Sequence, residues 1–218
     1  MDNQQGNETL FDMAYALGFF LGDGSLYTQP KRNAWRVSLT KQDKECVERA
    51  AEQLRKYSGK AGNLRLDTAG VAWKFEIYSK DLYDFLALNT YMRSRVPQEF
   101  FEAPREAKIE LLAGLFDSDG SVTYTESQGS PRWQLQFTST ERHLVEAVSG
   151  LCGQLRVRAN GIVEVDTKHK RVYHVRPNML DFWKAGCVFY SQRKQTRLVE
   201  YIKHVHASET LYTGACGA

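Results

Sequence analysis

No two cysteines in this 218-residue chain stand at C-x-x-C or zinc-ligand spacing, and the four present, Cys46, Cys152, Cys187 and Cys216, are too few for a disulfide scaffold. That excludes a small disulfide-held fold and points to a reducing compartment. No apolar run approaches the ~18 consecutive residues that a membrane span needs, so no membrane partner is expected. The N-terminus, MDNQQGNETL, is polar and slightly acidic. It shows neither a secretory nor an Arg-rich transit pattern, so an intracellular protein without a signal peptide is expected. A dominant charge is lacking too: 29 Lys and Arg against 26 Asp and Glu leave +3, which permits a nucleic-acid partner without demanding one. With 42% hydrophobic residues the chain can bury a real core, as one unit or as two joined halves of about a hundred residues.

What the chain does have is one pattern written twice. LLAGLFDSDGSV, Leu111 to Val122, and YALGFFLGDGSL, Tyr15 to Leu26, each run an apolar helical turn into Asp-Gly-Ser. Asp119 follows Asp23 by 96 residues. Solenoid and propeller repeats recur every ~20–50 residues, so this period indicates two fused copies of one module.

Taken in order, Thr9 and Asp12 resemble a capping box before a helix from about Leu10 to Gly22, ended by Gly24. NAWRVSLTK alternates, with Trp35, Val37 and Leu39 inward and Arg36, Ser38 and Thr40 outward. An amphipathic helix from about Asp43 to Tyr57 follows, with Val47, Ala50, Ala51 and Leu54 as its stripe. Two strands come next, NLRLDT with Leu64 and Leu66 inward and VAWKFEIYS with Trp73, Phe75 and Ile77 inward. Ser79 caps a helix from Lys80 to about Leu88, and Arg93, Arg95 and Pro97 lie in the connection. From Pro104 the order restarts: a helix to Asp119, the strand RWQLQFT, a helix from about Thr140 to Cys152, a strand LRVRAN with Arg156 and Arg158 outward, and a strand around Val172 to Val175. Helices near Asn178–Lys184 and Arg193–His204 close the second copy. Cys46 and Cys152 fall on helix stripes as small core residues, and His204 and His206 read as surface. The expected fold is α/β (α+β): two pseudo-symmetric αββαββα halves, each with a four-stranded antiparallel sheet. The halves are expected at 1–97 and 98–206, with a loosely ordered tail at 207–218.

Gly18-x-x-x-Gly22 and Gly114-x-x-x-Ser118 put small residues one turn apart, which lets two parallel helices approach until their backbones nearly touch. Asp23 and Asp119 then meet at the end of that seam. Like-charge repulsion and the helix dipoles call for a cation between them. Oxygen donors suit a hard divalent ion, and the chemistry implied is metal-assisted phosphodiester hydrolysis.

LAGLFDSDG and LGFFLGDG resemble the two signature motifs of the monomeric, double-motif LAGLIDADG homing endonucleases, and the order of elements is similar from about Leu10 to His204. The resemblance implies Asp23 and Asp119 as catalytic metal ligands, with the Gly22 and Ser118 carbonyls as secondary ones. Asp117 belongs to the helix end, and the first copy has Leu21 there. Catalytic polar or basic neighbours are expected among Gln42 or Asp43, Thr140, Arg93 or Arg95, and Arg193 or Lys194. The cofactor implied is Mg²⁺ or Mn²⁺, with Ca²⁺ binding without supporting cleavage. The partner implied is double-stranded DNA, with a DNA-binding saddle formed by the two sheets. The setting implied is a bacterial or phage cytoplasm, or an organelle that encodes the protein, with an intron as the associated element.

The outward strand positions expected to meet DNA are Ser25, Tyr27, Gln29, Arg36, Ser38, Asn63, Arg65 and Lys74 in the first half, and Tyr124, Glu126, Arg132, Gln134, Gln136, Arg156 and Arg158 in the second. Lys168, His169, Lys170 and Arg171 form the densest basic run and suit phosphate. The two faces differ, so a long asymmetric site is expected rather than a palindrome. The alternatives are an intron maturase with an RNA partner, or a non-catalytic nucleic-acid-binding protein of the same fold. An intein is disfavoured because no splicing blocks flank the motifs.

Overall fold

The structure is a computed structural model that describes residues 3–127, 130–168 and 170–215, with the side chains of residues 3–6, 32, 127, 130 and 208–215 outside the description. His169 of the basic run and residues 216–218 of the tail lie outside the described residues.

The first half consists of helices α1 (Asn3–Asp12) and α2 (Ala14–Asp23), strands β1 (Gly24–Gln29) and β2 (Ala34–Lys41), helix α3 (Lys44–Ser58), strands β3 (Asn63–Leu66) and β4 (Trp73–Tyr78), and helix α4 (Lys80–Asn89). The second repeats the order with α5 (Arg105–Asp119), β5 (Gly120–Ser127), β6 (Ser130–Ser139), α6 (Arg142–Gln154), β7 (Val163–Asp166), β8 (Arg171–Val175), α7 (Met179–Lys184) and α8 (Gln192–Ala215). All pairings are antiparallel, and the two sheets have the same strand order, β1-β2-β4-β3 and β5-β6-β8-β7.

Local chemistry explains the boundaries. The Ser79 hydroxyl accepts from the Leu82 amide and caps α4, and the Asn178 side chain does the same for α7 from Asp181. Gly59 ends α3 in the left-handed region (φ 67°), where an L side chain would be strained. Cys46, Val47, Ala50, Ala51 and Leu54 of α3 are buried, with Val37 and Leu39 of β2 and Phe75 and Ile77 of β4 in the same core. Ala14 to Leu21 of α2 and Leu111 to Phe116 of α5 are apolar all round because each stretch is buried on every side.

Four expectations need correction. The first helix begins at Asn3, and Met13, with ψ at 13°, separates it from α2, so Thr9 lies inside α1 rather than at a cap. Neither proline nor glycine marks that break. LRVRAN is not a strand. Leu155 and Val157 are buried, but Arg156 is left-handed (φ 61°) and the Arg156 and Val157 amides return to the Gly153 and Cys152 carbonyls as the end of α6. The strand is β7, six residues beyond Val157. Leu66, placed inward, is exposed because β3 is a short edge strand. Finally, α8 continues past His204 to Ala215.

Candidate metal centre and nucleic-acid interface

The two motif helices touch through backbone. A Cβ on Gly18 would stand 2.2 Å from the Leu111 carbonyl oxygen, and one on Gly114 would stand 2.2 Å from that of Tyr15. Further along, a Cβ on Gly22 would meet the Ser118 side chain at 2.3 Å and the Asp119 carboxyl carbon at 3.0 Å. Contacts rise in number together along both helices, so α2 and α5 run parallel. Their C-terminal ends, with Asp23 and Asp119, share one place.

Cations from three elements converge there. Lys41, the last residue of β2, lies 2.6 Å from an Asp23 carboxylate oxygen and donates to the Ser118 carbonyl at 2.5 Å, so it bridges the halves. Arg93 donates to the last carbonyls of α2: Phe20 at 3.1 Å, Leu21 at 3.2 Å, and Gly22. Lys194 of α8 mirrors it on α5, donating to the Phe116 and Asp117 carbonyls at 2.7 Å each. The final carbonyls of any helix lack intrahelical donors and carry the negative end of the dipole, so cations belong there. Burial pushes the Asp119 carboxyl above its ordinary range, and the Asp23 charge pushes it further, against Lys41, Arg93 and Lys194.

The donors present are carboxylate and carbonyl oxygens, which fit a hard divalent ion. Among the described residues no group of three or more His, Cys, Asp and Glu could hold a metal. Water and phosphate oxygens would have to complete the coordination of an ion held between Asp23 and Asp119.

Asp117 is fully buried and does other work. It accepts from the Tyr15 hydroxyl at 3.0 Å and from the Tyr190 and Ser191 amides at 2.8 and 3.2 Å, fixing the turn that starts α8 and so placing Lys194. Burial pushes the Lys194 ammonium down to about 8 despite the pull of Asp117. The unfolded chain, with lysine near its ordinary value of about 10.4, holds this proton where the folded chain has lost it. Lys194 therefore makes stability rise as pH climbs from about 8 towards 10. Thermal melts at about pH 7 and 9.5 should show a smaller gain, or a larger loss, for Lys194→Met than for wild type; the same pH response in both would contradict this.

Of the other residues singled out, Gln42 is exposed in the turn after β2, and Thr140 occupies the equivalent place after β6. Thr140 lines a cavity of about 400 Å³ together with Gly22, Arg93, Asp119, Ser139 and Lys170, so one residue of the basic run borders the carboxylates. Asp43 accepts from Ser191 at 2.9 Å and from Arg193 at 3.4 Å, which makes that pair a link between halves. Arg95 is exposed beside the Tyr91 ring.

Lys41 was missed, although the signal was present. It continues the inward phase of Trp35, Val37 and Leu39, and a lysine at an inward position is directed at something it pairs with. Its counterpart is Ser139, because Gly24 faces Leu39 as Gly120 faces Phe137. The cation exists in one half only.

The outer face of the first sheet carries Ser25, Tyr27, Gln29, Arg36, Ser38, Asn63, Arg65 and Lys74 in one phase, as expected, with Glu76 among them. In the second sheet Arg132, Gln134 and Gln136 are outward. Tyr124 and Glu126 are not: they share the phase of Val122, and Tyr124 packs on Trp133, 4.7 Å between rings, on the inner face. The outward positions of β5 are Ser121, Thr123 and Thr125, which the motif phase alone could have given, since Ser121 matches Ser25. Arg156 and Arg158 lie off the sheet, and Arg158 is tied to Asp181 at 2.6 Å. Lys168 is exposed, whereas Arg171 is held by Glu164 and Asp166 across the hairpin.

No helix among the described residues is long and apolar enough to cross a membrane. Residues 106–203 match the model of the LAGLIDADG-like domain. Among curated proteins, an uncharacterized protein of Methanocaldococcus jannaschii is 27% identical over 114 residues, 51% of this chain and 40% of that one. A DNA polymerase of Acanthamoeba polyphaga mimivirus is 26% identical over 135 residues, 56% of this chain. The chain spans only 8% of that polymerase, and under half of the first relative. Among solved structures, I-DmoI in complex with DNA and manganese superposes with a TM-score of 0.60 at 21% identity, over 81% of this chain and 94% of that one. I-SmaMI bound to uncleaved DNA target with calcium gives 0.53 at 13% identity, over 93% and 92%. These likenesses show the fold, so the chain folds as I-DmoI and I-SmaMI do, with both motif helices joined at one seam, and its residues 106–203 carry a LAGLIDADG-like domain.

Proposed function

We propose that the protein is a monomeric, site-specific endonuclease that hydrolyses double-stranded DNA with a divalent metal at a long asymmetric site. One observation carries this: both halves deliver a carboxylate, Asp23 and Asp119, to the same end of a backbone-tight seam, among Lys41, Arg93 and Lys194. A non-catalytic binding protein of this fold needs neither acid. Mg²⁺ or Mn²⁺ would be held by Asp23 and Asp119 with the Gly22 and Ser118 carbonyls, and when bound would supply water activation and stabilisation of the leaving oxygen. The chain's own contribution is placement. The seam fixes the distance between the acids, Lys41 holds Asp23 in one position, and exposed Gln42, Thr140, Arg193 and Lys170 around the site suit phosphate oxygens. The two different outer faces support an asymmetric target, and I-DmoI and I-SmaMI have been solved on DNA with manganese, calcium or magnesium.

The test is incubation with Mg²⁺ and a randomised duplex pool, followed by sequencing of the cut ends. A recurrent, non-palindromic sequence at the ends is expected, and only with metal. A pool left intact, or cut equally under EDTA, would overturn the reading.

A further inference from the structure

The two sheets occupy equivalent places but present different chemistry at their centres. In the first, Glu76 is only 8% exposed on the outer face, opposite Ser38 on one side and Asn63 on the other. Three cations share it: Arg36 at 3.2 Å, Arg65 at 2.7 Å and Lys74 at 2.9 Å. Burial alone would raise its carboxyl, but Lys74, Arg65 and Arg36 hold it below the ordinary range. Arg36 is held from a second direction by the Tyr27 ring, 4.8 Å from its guanidinium carbon. A guanidinium carries five N–H donors in a rigid fork, and the contact with Glu76 takes only part of each. The Arg36 and Arg65 side chains remain 30% and 44% exposed, so each fork keeps donors open to a partner, the buried Nε of Arg36 apart.

Aligning Leu39 with Phe137 puts Gln136 in the place of Ser38 and Arg176 in the place of Glu76. No carboxylate stands on this outer face among the described residues. Instead the amides are chained: Gln134 donates to Gln136 Oε1 at 2.8 Å, Gln136 donates to the Thr138 hydroxyl at 2.9 Å, and Arg176 donates to the same Gln136 Oε1 at 2.9 Å. The edge strand β7 sets Val163 and Val165 on the same face, each 39% exposed and in register with His174 and Val172. The first sheet has Arg65 where the second has Val163.

We propose that the first sheet reads guanines through arginines that Glu76 holds in place, while the centre of the second, where Arg176 is engaged by Gln136 and Arg132 stands out toward the β5–β6 turn, reads an A·T-rich half-site through its amide chain and valine edge. The inference rests on the reading of the protein as a DNA endonuclease. The pairing follows from the base edges. Guanine offers two acceptors, O6 and N7, to a donor-only fork, whereas adenine offers one donor and one acceptor, which match an amide, and thymine offers a methyl group. Glu76 is a positioning residue: it is covered by its cations and acts through them.

The experiment is selection from a randomised duplex library in Ca²⁺, so that bound DNA is retained uncut, with wild type, Glu76→Gln and Arg65→Gln. Wild type should enrich guanine in one half-site and A·T pairs in the other. Glu76→Gln should lower the guanine preference about tenfold at two or more positions of the first half-site only. It should also tighten binding to random duplex, because a negative charge leaves the DNA face. Arg65→Gln leaves Glu76 two cations and should lose guanine preference at a single position. Selective binding without the split, or a Glu76→Gln effect spread over both half-sites or accompanied by weaker binding to random duplex, overturns this inference alone. No selectivity at all in wild type overturns the endonuclease reading and this inference with it.

Discussion

Asp119→Asn is expected to lower cleavage at least about a thousandfold and to leave DNA binding as tight as wild type or tighter. The loss follows from the ion it would help to hold: metal stabilisation of transition-state charge is several kcal/mol, and each ~1.4 kcal/mol is tenfold in rate. Binding should survive because base and phosphate contacts come from the sheet faces and the rim rather than from Asp119. Stability should also hold, since burial and the neighbouring Asp23 already disfavour the Asp119 charge, so a neutral isostere relieves repulsion. Asp23→Asn should abolish cleavage equally but lower the melting temperature, because it leaves Lys41 at 2.6 Å without its anionic partner. Cleavage rates, a binding isotherm in Ca²⁺ and a thermal melt for each variant separate these outcomes. Cutting at wild-type rates by either variant removes the metal-site assignment.

What could be read before the structure was whatever repeats or alternates. The duplicated motif gave the seam, and the alternation in NAWRVSLTK and RWQLQFT gave the central strands with the correct inner face. Capping chemistry at Ser79 placed α4 to within a residue or two. The failures have physical causes. Leu155 and Val157 alternate because a loop docks two apolar side chains on the core, which imitates a short strand over so few residues. Tyr124 is 48% exposed yet faces inward, because aromatic side chains near a sheet end reach over α8 rather than into the core, so polarity misassigned its side. In the site, the two aspartates were legible from their motif. Lys41 and Glu76 were not singled out, because each works through partners distant in sequence: Ser118 across the seam for one, and Arg36 across the sheet for the other.

Gly114→Ala should cost as much as any single substitution outside the carboxylates, although it adds one methyl group. That methyl would lie 2.2 Å from the Tyr15 carbonyl oxygen and 2.7 Å from the Phe19 amide nitrogen, both backbone atoms of a buried helix, so no side chain can rotate away. The helices must separate instead. Overpacking of this kind costs about 1–3 kcal/mol, and for a domain of this size each kcal/mol lowers the melting temperature by roughly 2–4 °C. A drop of several degrees is therefore expected, with a further several-degree drop in the double variant Gly18→Ala/Gly114→Ala unless the first change has already opened the space. The functional cost should exceed the thermal one. Asp23 and Asp119 sit at the ends of the displaced helices, and a misplacement of about 1 Å in a reacting site costs on the order of a hundredfold. Gly153→Ala, in α6 with nothing within 4 Å of the added atom, is the matched control and should leave cleavage unchanged and stability level or slightly higher. A Gly114→Ala protein that melts and cuts as wild type does would show that the seam tolerates separation, and that the backbone contact does not set the spacing of the carboxylates.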